Sequence, residues 1–216
     1  MGGDEWPYMI ARENDVVLAI NSDYAQTRIN QRQTVGIIIR DGVIIEEKTK
    51  KQNAKGFPNL DTLALFPDGS MQVFWSDELA PQDYLDMGAT DVLAFGPYLI
   101  RGGELNEYAL EKYGTSHAQR TAVGMVEPGH YVAILCEGRL DRRSEGVTVS
   151  YLAKLMRAKG CVNAFNLDGG QTAVMIFMGK QINLIGEYDG GKTNSRKTCE
   201  VMGVGYSDQV GVYEVE

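Results

Sequence analysis

The alternation of apolar and polar residues along the chain predicts many short strands joined by tight turns. Three pairs of apolar segments flank turns that contain Asp-Gly or Pro-Gly, which are strong hairpin signals. These hairpins are predicted at Gly36–Ile45, Leu63–Phe74 and Ala122–Leu135. Further strands are predicted at Val16–Ile20, Val92–Phe95, Val162–Leu167, Thr172–Phe177 and Val201–Tyr206. Because a hairpin joins antiparallel neighbours, the pattern favours largely antiparallel sheets.

Two segments have the spacing of apolar residues that is typical of amphipathic helices. The stronger one begins after Thr148, a predicted N-cap, and ends at Gly160. The second is predicted from Pro81 to Met87, and Glu104–Tyr113 is a weaker candidate. Many hairpins and few helices predict an α+β fold, with mixed, largely antiparallel sheets and hairpins packed around two main helices. No boundary divides residues 1–216, so a single domain is expected.

Composition and charge exclude several classes of protein. The chain has 216 residues, of which 44% are hydrophobic, so it is long enough to bury a core. Its net charge of −8 argues against a general nucleic-acid-binding protein, although two local cations could still bind an anionic substrate. Three scattered cysteines do not predict a disulfide framework or a zinc site. No apolar run is long enough to predict a membrane span, and no feature predicts an oligomeric state.

Polar and charged side chains cluster at the ends of the predicted strands. The four clusters are Asn21-Ser22-Asp23, Arg120-Thr121, Glu137-Gly138-Arg139 with Ser144, and Asn166-Leu167-Asp168-Gly169-Gly170. A carboxylate between apolar segments is costly to bury without a partner or ligand, although a tight Asp-Gly turn is an alternative explanation. Paired arginines suit a phosphate, and paired carboxylates suit glycosidic cleavage. Each cluster alone could equally be a surface ion pair or an ordinary turn.

Taken together and in order, these clusters resemble the phosphodiester glycosidase family. The matching segments are Ala19-Ile20-Asn21-Ser22-Asp23-Tyr24, Gly36–Gly42, Phe95–Leu99, Arg120–Gly124, Glu137–Arg139, Ser144–Thr148 and Asn166–Gly170. The resemblance implies cleavage of a sugar-1-phosphate diester at the bond between the sugar carbon and oxygen, on a secreted or cell-surface glycan outside the cytoplasm. Bacterial members of the family are often connected with exopolysaccharide biosynthesis. Because the family domain usually has more sequence before its Asn-x-Asp segment, this chain is expected to lack part of that N-terminal region.

The resemblance also implies roles for particular residues. The catalytic candidates are Asp168, Glu137, Asp23 and Arg120, with Asp168 as the first choice for the working carboxylate. The candidates for substrate binding are Asn21, Thr121, Arg139, Ser144, Gly169, Gly170 and Thr172. No cofactor is required, although Asp23, Glu137 and Asp168 could supply oxygen ligands to a divalent cation. Trp75, Tyr24 and Tyr98 are candidates for stacking on a sugar ring.

The chain departs from the family pattern at three places near these candidates. Glu137 replaces an aspartate, Ser22 replaces a glycine, and Gln171-Thr172-Ala173 replaces a segment of small and hydroxyl residues. Three functions therefore remain open. The chain is a glycosidase that hydrolyses sugar phosphodiesters, a non-catalytic module that binds or assembles glycans, or a transglycosylase that uses the same site.

Overall fold

The computed structural model describes residues 4–23, 34–48, 60–113, 115–140, 143–186 and 195–212, which form helices and three sheets. The first sheet has the strand order β13 (Lys180–Gln181), β12 (Met175–Phe177), β1 (Val16–Asn21) and β14 (Val201–Tyr206). The second has the order β10 (His130–Cys136), β9 (Arg120–Glu127), β11 (Asn163–Asn166), β7 (Tyr98–Arg101) and β8 (Glu104–Leu105). The third has the order β3 (Val43–Glu46), β2 (Ile38–Arg40), β6 (Asp91–Phe95), β4 (Asp61–Leu65) and β5 (Met71–Phe74).

Four helices accompany these sheets within the described ranges, which makes the fold α+β. They are α1 (Pro7–Glu13), α2 (Pro81–Asp86), α3 (Glu107–Tyr113) and α4 (Val149–Ala158). Every strand pairing among the described residues is antiparallel. None of the four helices is long and apolar enough to cross a membrane.

The main apolar core lies where the three sheets meet. Ile20 of the first sheet, Phe165 of the second and Leu63 of the third belong to one buried cluster. Helix α4 covers the other side of the second sheet through a separate cluster that includes Leu152 and Met156. Because burial of a large aliphatic or aromatic side chain contributes about 1.5–3 kcal/mol, these clusters fix how the sheets are arranged around the strand ends.

The three predicted hairpins are confirmed as β2–β3, β4–β5 and β9–β10. In the first, Asp41 and Gly42 both have positive φ angles, of 50° and 73°, as a two-residue Asp-Gly turn requires. The helix predicted after Thr148 is also confirmed as α4. The Thr148 side chain accepts a hydrogen bond from the main-chain N–H of Tyr151 at 3.1 Å, which is the predicted N-cap.

Two predicted elements differ from the structure. The strand predicted at Thr172–Phe177 contains only Met175–Phe177, because the preceding residues form a 3-10 turn at Gly170–Thr172. The weaker helix, predicted at Glu104–Tyr113, begins later, at Glu107, since Glu104 and Leu105 pair with β7. Helix α1 was not predicted.

The segment after β11 is not a hairpin turn. Strands β11 and β12 belong to different sheets, so Asp168 and Gly169 carry the chain from one sheet to another. This rules out the simple alternative explanation for the buried carboxylate, a tight Asp-Gly turn between paired strands. The crossing brings Asp168 to the end of β1.

Candidate active site

Three distant segments meet at the ends of β1, β9 and β11. The Asn21 side-chain amide donates to the Asp168 carbonyl at 2.8 Å, which joins the first segment to the third. The main-chain N–H of Gly170 donates to the Gln119 carbonyl at 3.0 Å, and that of Leu167 to the Thr121 carbonyl at 2.9 Å. These bonds gather the predicted residues Asn21, Thr121 and Asp168 into one region.

Four glycines allow the main chains in this region to approach closely. They are Gly138, Gly146, Gly169 and Gly186, and each lies against the main chain or side chain of Ala118 or Gln119. A Cβ atom on Gly169 would lie 2.5 Å from the Gln119 carbonyl oxygen, and one on Gly138 would lie 2.8 Å from the Gln119 nitrogen. Since real Cβ atoms do not come this close, glycine is required at these positions to bring the segments together.

Arg120, Arg139 and Asp168 form the charged part of this region. Burial and the nearby charge of Arg139 lower the pKa of Arg120, and the charge of Asp168 opposes that shift. Arg139 and Asp168 therefore both lie within electrostatic reach of Arg120. Arg120 is 8% exposed, and its Nε and Nη2 atoms donate to the Val147 and Ser116 carbonyls at 3.1 and 3.0 Å. A cation held in this way is well placed to bind an anion.

Several buried polar atoms near these charges have no hydrogen-bond partner within the described residues. They are Oε1 of Gln119, Oγ1 of Thr121 and Oδ1 of Asn166. The amide nitrogens of Gln119 and Asn166 are bonded, to the Gly138 carbonyl at 2.8 Å and the Gly96 carbonyl at 2.9 Å. An unsatisfied buried polar group costs about 1–3 kcal/mol, so their concentration here is typical of a binding site.

The family model that describes phosphodiester glycosidases matches residues 14–204 of this chain. The chain belongs to the phosphodiester glycosidase family. The match includes all three strand ends that meet at Asp168, so the family resemblance of the separate sequence segments is confirmed.

This phosphodiester glycosidase domain is similar to two curated proteins, one uncharacterised and one named for an enzymatic activity. An uncharacterised SPbeta prophage-derived protein of Bacillus subtilis, YomE, is 29% identical over 82% of the chain. The mouse N-acetylglucosamine-1-phosphodiester alpha-N-acetylglucosaminidase is 25% identical over 70% of the chain. The aligned part makes up 27% of the first relative and 30% of the second, so the chain spans less than a third of either protein.

Solved structures support the fold. The catalytic domain of the zebrafish N-acetylglucosamine-1-phosphodiester alpha-N-acetylglucosaminidase, auto-inhibited by its pro-peptide, superposes with a TM-score of 0.69 at 20% identity. The alignment covers 93% of this chain and 67% of that one. A hypothetical protein from Synechocystis superposes with a TM-score of 0.55 at 12% identity, covering 90% of this chain and 53% of the other.

The remaining predicted residues lie around the three segments. Asp23 is fully buried after β1. Gly169 donates its N–H to the Asp168 carboxylate at 2.9 Å, and Gly170 adopts a positive φ of 62°. Thr172 is buried in the following 3-10 turn, where its hydroxyl accepts from Arg196 at 3.4 Å.

Glu137 and Ser144 take part in a neighbouring set of hydrogen bonds. The Glu137 carboxylate accepts from the main-chain N–H of Leu184 at 2.6 Å. The Ser144 hydroxyl donates to the Glu137 carbonyl at 2.7 Å and accepts from the Gly146 N–H at 3.2 Å. Ser144 thus holds the loop that places Gly138 against Gln119 and Gly146 against Ala118.

The structure also locates the candidates for metal binding and stacking. No group of three or more His, Cys, Asp or Glu side chains in the described ranges is arranged to hold a metal ion, and Asp23, Glu137 and Asp168 do not form one. Trp75 and Tyr98 pack edge to face, with their ring centroids 4.8 Å apart, against the main core. Tyr24 lies outside the described residues.

Three residues near the site were missed by sequence reasoning. Gln119 directly precedes Arg120, so a polar residue at the start of a strand was an available signal. The other two residues, Arg40 and Glu200, form an ion pair, and Glu200 accepts a hydrogen bond from Ser22, which lies between the predicted residues Asn21 and Asp23. No local pattern could connect positions 40 and 200.

Proposed function

We propose that this chain cleaves a sugar-1-phosphate diester at the glycosidic carbon–oxygen bond and transfers the sugar to water. The observation that carries the proposal is the meeting of two buried charged residues, Arg120 and Asp168, where β9 and β11 are joined by the Leu167–Thr121 hydrogen bond, with Arg139 within electrostatic reach of Arg120. Such a site holds two cations for a phosphate and one carboxylate for the sugar carbon. Membership of the family supports this reaction class.

In the proposed mechanism, Arg120 and Arg139 bind the phosphate group and stabilise it as it leaves. A phosphate monoester is already a weak base, so the leaving group needs little help from a general acid. Preorganised cations act strongly where charge develops during the reaction, especially in a partly buried site. The arginines therefore contribute most to the departure of the phosphate.

Asp168 is proposed to stabilise positive charge at the sugar carbon or to activate the attacking water. Asp168 is 8% exposed and its carboxylate accepts a hydrogen bond from the Gly169 N–H, so the carboxylate is oriented before substrate binds. Glu137 and Asp23 are proposed as supporting carboxylates, and Thr121 and the main chain of Gly169 and Gly170 as contacts to the substrate. Asn21 positions Asp168, since its amide is bonded to main-chain groups.

The substrate is proposed to be a glycan outside the cytoplasm. N-acetylglucosamine is the first sugar to test, because the name of the mouse relative specifies it. We further propose that residues 1–216 work as one catalytic domain, since one apolar cluster joins all three sheets.

Release of free sugar tests the function directly. The chain would be incubated with UDP-sugars and sugar-1-phosphate methyl diesters, and the liberated reducing sugar would be quantified. We expect turnover by the parent, a loss of about 100-fold or more in Asp168→Asn and Arg120→Ala, and near-parental rates in the exposed controls Asp77→Asn and Arg157→Ala. Glycan binding without any turnover would instead favour the non-catalytic module, and sugar transfer to an added glycan in preference to water would favour a transglycosylase.

A further inference from the structure

Ser22 occupies a position where the family pattern has glycine, and its side chain makes a specific contact. Its hydroxyl donates to Oε1 of Glu200 at 2.7 Å, although the two residues are 178 positions apart. Strands β1 and β14 bring them together, because Asn21 pairs with Val201 in the register of the first sheet. Ser22 is buried, so water competes little for this hydrogen bond.

Glu200 is in turn held by Arg40 of the third sheet. The Nε and Nη2 atoms of Arg40 donate to the two carboxylate oxygens of Glu200 at 2.8 and 2.5 Å. The Nη1 atom donates to the Val92 carbonyl at 2.6 Å. A bidentate pair whose cation is also bonded to main chain has one defined geometry, so Glu200 presents its oxygen to Ser22 in a fixed direction.

The surrounding charges favour the protonated form of Arg40. Burial alone would lower the pKa of Arg40, but its hydrogen bonds to Glu200 and the charges of Glu200, Asp23 and Asp91 outweigh burial and raise that pKa. Asp23 therefore lies within electrostatic reach of Arg40. Of the two neighbours of Ser22, Asn21 is hydrogen-bonded to Asp168 and Asp23 interacts electrostatically with Arg40.

We propose that Arg40 and Glu200 are positioning residues that act through Ser22 on the candidate catalytic segment. They would fix the end of β1, so that Asn21 holds the Asp168 carbonyl at 2.8 Å and accepts from the Val174 N–H at 3.2 Å. The kinetic part of this inference rests on the proposed function. The structural part, which is that Ser22 and Glu200 fix Asn21, does not depend on it.

The test compares Ser22→Ala, Glu200→Gln and the double variant with the parent. Glu78→Gln is a matched control, because the Glu78 carboxylate accepts two hydrogen bonds of 2.7 Å from Arg101 of β7 and so forms an equally bidentate pair. Sugar release gives kcat and KM. Amide hydrogen exchange measured by NMR reports on the Val174 N–H, which is bonded to Asn21, and on the Leu63 N–H of the third sheet as a reference.

We expect each single variant to lower kcat by about 10- to 100-fold, while KM stays within about twofold of the parent. The double variant should be no slower than the slower single variant, because both remove the same connection. Exchange at Val174 should accelerate relative to Leu63 in all three variants, and Glu78→Gln should change neither measurement.

Three results would overturn the inference. The first is a parental kcat in the single variants. The second is a kcat loss in the double variant that equals the product of the two single losses. The third is an equal acceleration of amide exchange at Val174 and Leu63, which would indicate general destabilisation. A parent with no turnover on any substrate would refute the proposed function instead. In that case the exchange measurement alone decides the structural part, and an unchanged Val174 rate in Ser22→Ala contradicts it.

Discussion

Replacement of Asn21 by alanine should destabilise the protein more than any other change to a single uncharged side chain at the site. The Asn21 side chain is fully buried and bonded only to main-chain groups in the described residues. Its amide donates to the carbonyls of Asp168 and Ser22, and its oxygen accepts from Val174. Alanine removes all three hydrogen bonds and adds no new group that could replace them.

The expected loss follows from the main-chain groups that would lose their partner. Two of the bonds join Asn21 to distant parts of the chain, the Asp168 carbonyl and the Val174 N–H, at 2.8 and 3.2 Å. A buried polar group left unsatisfied costs about 1–3 kcal/mol, so the two together lower the free energy of unfolding by about 2–6 kcal/mol. For a chain of this length, a loss of about 4 kcal/mol corresponds to a fall in Tm of roughly 8–16 °C.

Urea unfolding followed by circular dichroism measures this loss. Asn14→Ala is the matched control, because Asn14 is exposed and its side chain makes one hydrogen bond, to the Ile10 carbonyl. We expect the control to change stability by less than about 0.5 kcal/mol. Asn21→Asp should be at least as harmful as Asn21→Ala, since a carboxylate would face the Asp168 carbonyl. A loss below about 1 kcal/mol in Asn21→Ala would show that its side chain does not hold the segment after β11.

Three further predictions concern parts of the fold outside the site. Thr148→Ala should lower the free energy of unfolding by about 1 kcal/mol in a urea titration, because it removes the N-cap of α4, and an unchanged midpoint would contradict the cap. Burial raises the pKa of Tyr84 to about 12. In the unfolded chain this tyrosine ionises near pH 10, so the free energy of unfolding should fall as the pH rises from about 10 to about 12. The Tyr84→Phe variant should lose less stability over that range, as urea titrations at several pH values would measure, and an equal loss would refute the assignment. Burial also raises the pKa of the Cys161 thiol, so iodoacetamide should modify it, as measured by mass spectrometry, only after denaturation; rapid labelling of the folded protein would show that this thiol is accessible.

Local sequence signals predicted the elements whose geometry depends on neighbouring residues. The turn at Asp41 and Gly42 requires positive φ angles, which these residue types tolerate. Thr148 likewise caps the helix that begins immediately after it. These features depend on residues that are adjacent in sequence, so the spacing of apolar residues and the turn residues are sufficient to predict them.

The connections between sheets could not be predicted in the same way. Thr172 begins an apolar segment that predicts a strand. In the structure it lies in a 3-10 turn, within the connection that carries the chain from β11 in one sheet to β12 in another. The contact of Ser22 with Glu200 depends on how β1 and β14 pair. The cluster of candidate residues was predicted as a set from their order in the family pattern, whereas their mutual contacts emerge only from the folded sheets.

The close packing of four glycines against Ala118 and Gln119 has a consequence for the order of folding. Positions 138, 146, 169 and 186 are separated from Gln119 by increasing stretches of chain, and each must dock before the region is complete. Contacts between residues far apart in sequence form late, because the loop-closure entropy is lost before they stabilise the chain. A ribosome-bound chain that has released only the residues before Gly186 cannot complete this region. A ligand that recognises the finished site would therefore distinguish completed molecules from shorter nascent ones.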